Sequence, residues 1–153
     1  MKIERIIMTL LIALSFVSCS NDDANNNDNS MEINEIKTIA QSSSWIITSF
    51  IDSGVDETHH FSGYTFTFKS DGTLEASNGS NTHMGSWSVT DSNSNDDSID
   101  DIDFNIFFSS PTNFNDDLTE DWEIVSKSSS KIELIHVSGG NGGTDTLTFE
   151  KIS

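Results

Sequence analysis

The chain has 153 residues, a length that is typical of a single domain. Its 25 acidic residues outnumber its 7 lysines and arginines, which gives a formal net charge of -18. Such a field repels nucleic acid and anionic lipid headgroups, so the composition excludes nucleic-acid binding from the expected functions. The chain has one cysteine, so no disulfide can form within it and stability must come from the core.

The N-terminal residues have the pattern of a secretory signal peptide. Lys2 and Arg5 form a short positive region, and an apolar run over residues 6–17 follows it. That run is shorter than the about 20 residues of a spanning helix and fits the roughly 7–15 residues of a signal peptide. It leads to Cys19 in the sequence Phe-Val-Ser-Cys, which resembles the processing site of a bacterial lipoprotein. We therefore expect residues 1–18 to be removed and Cys19 to carry acyl chains, such as palmitate, that anchor the protein in a membrane.

The residues after the cysteine bear on localisation. Ser20 stands where an aspartate would favour retention in the inner membrane, and Asp22 and Asp23 resemble the acidic surface-export signal of some Gram-negative lipoproteins. The sequence predicts a lipoprotein of the cell envelope, in the outer membrane, and leaves open whether it faces the periplasm or the cell surface. Residues 20–30 have no large apolar side chain, so we expect residues 19–30 to be the lipidated cysteine and a disordered tether.

Residues 31–153 are expected to form one domain that begins with a short helix. Apolar residues at approximately helical spacing predict this helix over residues 31–41, and Asn29 with Glu32 resembles a capping box at its start. We expect the isoleucines of this helix to pack against the rest of the domain. The residues with helical spacing are Met31, Ile33, Ile36, Ile39 and Ala40.

From Trp45 onward, apolar and polar residues alternate with a period of two, which is typical of antiparallel strands with one buried face. Turn signals such as Ser70-Asp71-Gly72 and Ser77-Asn78-Gly79 separate these stretches. The pattern predicts eight strands, over residues 45–51, 64–68, 73–76, 86–89, 103–108, 122–126, 131–136 and 146–150.

Eight sequential strands with short turns favour an up-and-down meander that closes on itself and so removes its edge strands. The predicted fold is all-β: an eight-stranded antiparallel up-and-down barrel or half-barrel with one short N-terminal helix. We expect a monomer. The interior of an eight-stranded barrel is just wide enough to be filled with side chains or to hold one small ligand.

Residues from about 42 to 152 resemble the small lipocalin-like domains of bacterial lipoproteins. Ser43-Ser44-Trp45 is similar to the Gly-x-Trp motif of lipocalins, whose tryptophan plugs the base of the barrel, with Ser43 in the place of the glycine. The other matching segments are residues 61–68, Asp71-Gly72-Thr73, Gly85-Ser86-Trp87-Ser88, residues 118–122 and residues 138–151. The resemblance implies a lipocalin-like barrel or half-barrel, and it transfers neither a ligand nor a catalytic residue.

The inward face of the predicted strands is rich in aromatic residues, which either form a plain core or line a pocket. His136 shares this face with Ile132 and Leu134, where it either satisfies a neighbouring polar group or anchors the polar head of a ligand. An enclosed void of several hundred Å³ would favour the pocket, and a solid interior would favour the core. The candidate ligand-contact residues are Tyr64, Phe66, Trp87, Phe104, Leu134 and His136.

An acidic loop over residues 91–103 offers oxygen ligands at alternating positions, as calcium requires. The candidate ligands are Asp91, Asn93, Asn95 and Asp97. Asp96 and Ile102 stand where an EF-hand has glycine and glutamate, so the alternative is a solvated hairpin loop. Adjacent His59 and His60 would point to opposite faces of an extended chain, so we expect no chelation by that pair. Apart from calcium at this loop, the sequence predicts no cofactor.

No Gly-x-Ser-x-Gly motif, phosphate-binding glycine loop or paired cysteine occurs, so we do not expect an enzyme. The leading hypothesis is a lipid-anchored, lipocalin-like envelope protein that binds a small apolar ligand. The alternative is a surface interaction protein whose filled barrel is a scaffold, with recognition by loops 52–62 and 109–121.

Overall fold

The computed structural model describes residues 29–92, 102–138 and 143–152. The predicted alternation of apolar and polar residues builds one antiparallel sheet there. The elements in chain order are α1 (Ser30–Gln41), β1 (Ser44–Asp52), β2 (Val55–Asp56), a 3-10 helix (Thr58–Phe61), β3 (Thr65–Phe68), β4 (Thr73–Ser77), β5 (Thr82–Asp91), β6 (Ile102–Phe107), α2 (Thr112–Leu118), β7 (Glu120–Lys127), β8 (Lys131–Val137) and β9 (Thr144–Lys151).

The sheet closes into an eight-stranded up-and-down barrel, which confirms the predicted fold class. Each strand after β2 pairs with the next in sequence, and β1 pairs with both β3 and β9. The closing register places Trp45 opposite Lys151 and Ile51 opposite Thr146, with a bulge between Ile47 and Ser49. Because β1 has a partner on each side, the barrel is complete and the half-barrel alternative is wrong.

All eight predicted strands form, and their bounds differ most at β5. That strand begins at Thr82, four residues before the predicted start. The prediction missed its first residues because Thr82, His83 and Met84 show no apolar alternation. Gly85 permits the close packing of this region: a Cβ atom there would lie 2.4 Å from the carbonyl oxygen of Phe107 and 2.8 Å from the ring of Phe108. The two-residue strand β2 was not predicted, and it forms a short hairpin with the end of β1.

Helix α1 forms as predicted and covers one end of the barrel. Ile36 and Ala40 are buried, and the indole Nε1 of Trp45 donates a hydrogen bond of 2.8 Å to the carbonyl oxygen of Ala40. Ser30, which we expected in the tether, is the first residue of the helix.

The predicted capping box does not form. The side chain of Asn29 makes no capping hydrogen bond and instead donates to Asp91 Oδ2 at 3.2 Å. The carboxylate of Glu32 contacts Lys127 Nζ at 3.0 Å, so this side chain ties α1 to the end of β7.

Two connections that were predicted to be loops contain helices. The 3-10 helix follows β2, and α2 lies between β6 and β7, inside the expected loop 109–121. Phe114 and Leu118, four positions apart on one face of α2, are its buried residues. That spacing is the sequence signal for a helix. The signal consists of a single pair because α2 has only 7 residues.

The antiparallel order gives the barrel two different ends. The α1 end carries α1, the turns after β3 and β7, and the last residues of β5. The loop end carries the 3-10 helix, the turn after β4, α2 and the first residues of β9. Among the described helices none is both long enough and apolar enough to cross a membrane.

Aromatic rings fill the space inside the barrel. Phe68 packs among three of them, with ring centroids 5.2 Å from Trp87, 5.4 Å from Phe104 and 5.4 Å from Phe149, all in edge-to-face arrangements. The predicted inward face is confirmed, since these side chains are buried and only Tyr64 of the expected aromatics is half-buried. The other buried aromatics of this inward set are Trp45, Phe66, Phe108 and Trp122.

Candidate functional site

The six residues predicted to contact an apolar ligand occupy different parts of the barrel. Phe66, Phe104 and Leu134 are fully buried, whereas Tyr64 and His136 are half-buried near the loop end. Trp87 stacks on Phe104 with ring centroids 5.8 Å apart. The structure therefore brings some of the set together and separates the rest.

The rings between these groups occupy the space that a ligand would need. Phe66 contacts Phe149 at 5.5 Å, and Phe149 contacts Phe68, which in turn contacts Phe104. Rings that pack closely against one another leave no free apolar surface that a ligand could contact. A role of these six residues in ligand binding stays a prediction. In the structure Phe66, Trp87, Phe104 and Leu134 belong to the core, Tyr64 packs against it and His136 lies outside it.

All four histidines lie at the loop end, which is the most distinctive chemical feature of the described surface. His59 and His60 belong to the 3-10 helix, His83 is the second residue of β5, and His136 is the penultimate residue of β8. The residues are scattered along the sequence and are gathered only by the alternating direction of the strands.

The segment that carries His59 and His60 is helical, so the expectation of opposite-facing side chains is wrong. The two ring centroids lie 4.4 Å apart at a tilt of 54°. Asp56 begins the turn by accepting a hydrogen bond of 3.0 Å from the Thr58 N–H. Hydrogen bonds from the side chain and the backbone of Thr58 lower the pKa of the Asp56 carboxyl.

His60 connects the two expected recognition loops. Its Nδ1 lies 2.7 Å from Asp117 Oδ2 on α2 and 3.7 Å from Glu57 Oε2, three residues earlier in its own segment. The Asp117 side chain is only 10% exposed, so this contact is partly shielded from water. Sequence reasoning missed Glu57 and Asp117, because no motif spacing links residues 57 and 117.

Phe114 closes the loop end below this polar cluster. Its ring centroid lies 5.3 Å from Phe61, 5.2 Å from Phe108 and 5.0 Å from Tyr64. The Tyr64 hydroxyl also hydrogen-bonds His83 Nε2 at 3.1 Å. Helix α2 is therefore a packed cover over the barrel, held by rings inside and by polar contacts at its rim.

His136, the predicted polar anchor, lies at the rim of the loop end rather than deep inside the barrel. Its side chain is 23% exposed, and its ring lies 6.1 Å from that of Trp122. Nε2 is 3.5 Å from Glu120 Oε2, and Nδ1 is 3.8 Å from Asp145 Oδ2. Nδ1 is buried and has no hydrogen-bond partner among the described residues.

The outer wall of β5, β6 and β7 carries an acidic, shallow groove of 590 Å³. Ser88, Asn105, Phe107 and Asp121 are among its lining residues. Beside it, burial first and the negative charge of Asp121 second raise the pKa of the Asp103 carboxyl. The groove combines polar side chains with Trp87, Ile106 and Phe107, and it is open, so it lacks the enclosing apolar walls of a small-molecule pocket.

An apolar cleft of 410 Å³ lies between α1 and the barrel wall. Ile36, Ile102 and Ile124 line it, and Lys127 lies at its edge with its ammonium group held by Glu32 and Glu35. This is an apolar surface that the sequence analysis did not anticipate, because it forms between elements rather than inside the barrel.

Most of the predicted calcium and lipid chemistry lies outside the described residues. Asn93, Asn95, Asp97 and Cys19 fall there, as do the expected signal peptide and most of the tether. Asp91, at the end of β5, accepts the hydrogen bond from Asn29. Calcium binding by the acidic loop therefore stays a prediction.

Comparison with known proteins yields one relevant structure and no family. No family model matches the chain, and no curated protein matches it. The chain is similar to the crystal structure of a DUF4847 family protein from Bacteroides vulgatus, with 18% sequence identity and a TM-score of 0.48. The similarity covers 77% of this chain and 99% of that one. Similarity at this level transfers neither a ligand nor an activity.

Proposed function

We propose that this protein is a lipid-anchored envelope protein whose filled barrel is a rigid scaffold that presents its loop end to a partner. The observation that carries the proposal is the contact between the two candidate recognition loops. His60 and Asp117 lie 2.7 Å apart, and the rings of Phe61 and Phe114 lie 5.3 Å apart. The two loops therefore form one continuous surface.

The position of Asn29, the first residue that the structure describes, supports the direction of presentation. Asn29 lies beside Asp91 at the α1 end, ten positions after Cys19. Ten residues span at most about 36 Å, so a lipid on Cys19 holds the α1 end close to the membrane. The loop end, with its histidines and acidic side chains, then points away from the bilayer.

The filled interior favours the scaffold over a ligand carrier. Phe66, Phe68 and Phe104 are fully or almost fully buried, and each contacts another ring. An apolar ligand inside the barrel would have to displace these rings, which costs about 3–5 kcal/mol for each one that loses its packing.

Binding of a small apolar ligand is the second candidate function, and the cleft beside α1 is the observation that favours it. Ile36, Ile102 and Ile124 supply an apolar wall, and Lys127 supplies a cation at its edge. A fatty acid would match this arrangement, since its carboxylate would compete with Glu32 and Glu35 for Lys127. Lipid extraction of the purified protein followed by mass spectrometry tests this function.

Site-specific photo-crosslinking in living cells tests the scaffold function. A photoreactive residue at Val55, which is 58% exposed at the loop end, should yield a discrete adduct. The matched control is Ser129, an exposed residue in the turn at the α1 end, which should yield none. Equal labelling from both positions, or none from Val55, would contradict presentation by the loop end.

A further inference from the structure

Two carboxylates of the loop end converge on one nitrogen atom. His60 Nδ1 faces Asp117 Oδ2 at 2.7 Å and Glu57 Oε2 at 3.7 Å. One ligand atom from each of the three residues lies within 4.8 Å of the other two. A ring nitrogen carries at most one proton, so it can donate a hydrogen bond fully to only one of these carboxylates. The short contact to Asp117 uses that proton. No hydrogen bond from the same nitrogen therefore accounts for the position of the Glu57 carboxylate.

We propose that Glu57, His60 and Asp117 bind one divalent transition-metal ion, with zinc as the best match. This proposal goes beyond the scaffold function and does not depend on the lipid anchor. A cation placed between the three groups removes the conflict, because it attracts both carboxylates and accepts the lone pair of the deprotonated nitrogen.

The distances fit a small tetrahedral ion. Zinc bonds of about 2.0–2.1 Å at tetrahedral angles place neighbouring ligand atoms about 3.3–3.4 Å apart. The observed separations of 2.7 Å and 3.7 Å lie on either side of that value. Side-chain movements of roughly half an ångström bring both separations to that value, and the two carboxylate oxygens already lie within 4.8 Å of each other.

The type of ligand selects the type of metal. Calcium and magnesium prefer oxygen ligands alone, whereas an imidazole nitrogen with carboxylates suits zinc and its neighbours in the transition series. Three protein ligands leave a fourth position, which water or a group from a binding partner can occupy. The exposed ring of His59 lies 4.4 Å from that of His60.

His136 provides a matched comparison within the same end of the barrel. It also faces two carboxylates, Glu120 at 3.5 Å and Asp145 at 3.8 Å. There the two carboxylates approach different ring nitrogens, Nε2 and Nδ1, so the three groups cannot converge on one ion. The composition of the two clusters is the same, and only the geometry at His60 is that of a metal site.

Zinc titration of the full chain in detergent, followed by calorimetry, tests the proposal. Cys19→Ser is included in every protein so that a free thiol does not bind zinc. We expect one zinc ion per chain with a dissociation constant of micromolar order or tighter. His60→Gln and Glu57→Gln should each weaken binding at least tenfold, and His136→Gln should change it less than twofold. A large excess of calcium should not displace the zinc.

A thermal measurement keeps the test valid if a variant is less stable. With zinc at about a hundred times its dissociation constant, the unfolding midpoint should rise by roughly 10 °C, and Glu57→Gln should remove most of that rise. Glu57→Gln keeps the backbone hydrogen bond from His60 to residue 57, so its fold in the absence of metal should be normal. Millimolar or weaker zinc binding, unchanged binding in His60→Gln, or loss of binding in His136→Gln would overturn the proposal.

Discussion

The indole Nε1 of Trp45 donates a buried hydrogen bond of 2.8 Å to the carbonyl oxygen of Ala40. Both residues are fully buried, so this bond fixes α1 over the end of the barrel without access to water. The tryptophan of the sequence motif at residues 43–45 thus has two roles: its ring fills the base of the barrel, and its N–H holds the covering helix.

Trp45→Phe should cost about 1–3 kcal/mol of unfolding free energy, because it leaves the Ala40 carbonyl buried without its donor. Trp87 is the matched control, since its Nε1 also donates to a carbonyl oxygen, that of Lys69, at 2.9 Å. That carbonyl is only partly buried and water can replace the donor, so Trp87→Phe should cost less. Urea denaturation measures both values, and an equal or smaller cost for Trp45→Phe would contradict the role given to the Ala40 bond.

Trp87→Ala should cost about 3–5 kcal/mol, the loss typical of a large aromatic side chain removed from a packed core. Its ring contacts Phe68 at 5.2 Å and Phe104 at 5.8 Å. If Trp87 instead lined an open cavity, the cost would fall near 1–2 kcal/mol. Tryptophan emission gives an independent readout: a blue maximum that hydrophobic probes leave unchanged is expected for the filled barrel.

Gly85→Ala should destabilise the protein by about 1–3 kcal/mol or more, because the new methyl group meets backbone as well as a ring. Its Cβ would lie 2.4 Å from the Phe107 carbonyl oxygen, and the strand pair cannot yield there without losing register. Ser86→Ala, on the neighbouring residue, should change stability by less than about 0.5 kcal/mol. Thermal unfolding of the two variants compares them directly, and equal midpoints would show that the β6 end is free to shift.

Asp103→Asn should stabilise the protein at neutral pH and not below about pH 3. Burial and Asp121 raise the folded-state pKa of Asp103, so the folded state binds this proton more tightly than the unfolded state does. The charged carboxylate therefore lowers stability as the pH rises above the usual aspartate range, and the neutral amide removes that loss. The gain should be only a few tenths of a kcal/mol because solvent screens the site, and 1 M salt should reduce it.

Asp116→Asn is the control for Asp103→Asn, because it removes one negative charge from an exposed position of α2. Its effect on the pH profile of stability should be smaller. A stability gain from Asp103→Asn that persists through acid pH would show that the ionised Asp103 carboxylate is not the cause.

Cys19→Ser should release the protein from the membrane fraction of cells that express it. Acyl chains contribute about 0.8 kcal/mol per buried CH₂ group, and we expect no other attachment of comparable strength. Fractionation followed by a salt wash measures the distribution. A variant that still sediments with membranes would refute the lipoprotein hypothesis.

The sequence predicts the barrel because each of its eight strands contains the same simple determinant. Phe66 and Phe68, or Trp87 and Val89, alternate with polar residues, and alternation decides which face is buried. Their burial was predictable for the same reason. The capping box failed because the backbone of Asn29 is already helical rather than extended, and because the Glu32 carboxylate pairs with the distant Lys127.

The loop end was much less predictable, since it is assembled from contacts between remote segments. His60 and Asp117 are brought together by the cover that α2 forms, and α2 was itself read as a loop. The extended-chain assumption for His59 and His60 failed because Asp56 and Thr58 form a tight turn before them. Local sequence patterns contain no information on contacts between such remote segments.

Closure of the barrel has a consequence for how the chain acquires its structure. The strand that closes it, β9, is the last in the sequence, and it pairs with β1, about a hundred residues earlier. Contacts between such distant positions are slow to form, and β1 has one unpaired edge until β9 arrives. In a chain that emerges N-terminus first, that edge is exposed during the whole interval. Rapid synthesis or a chaperone that covers the edge would then protect the protein from pairing with its neighbours.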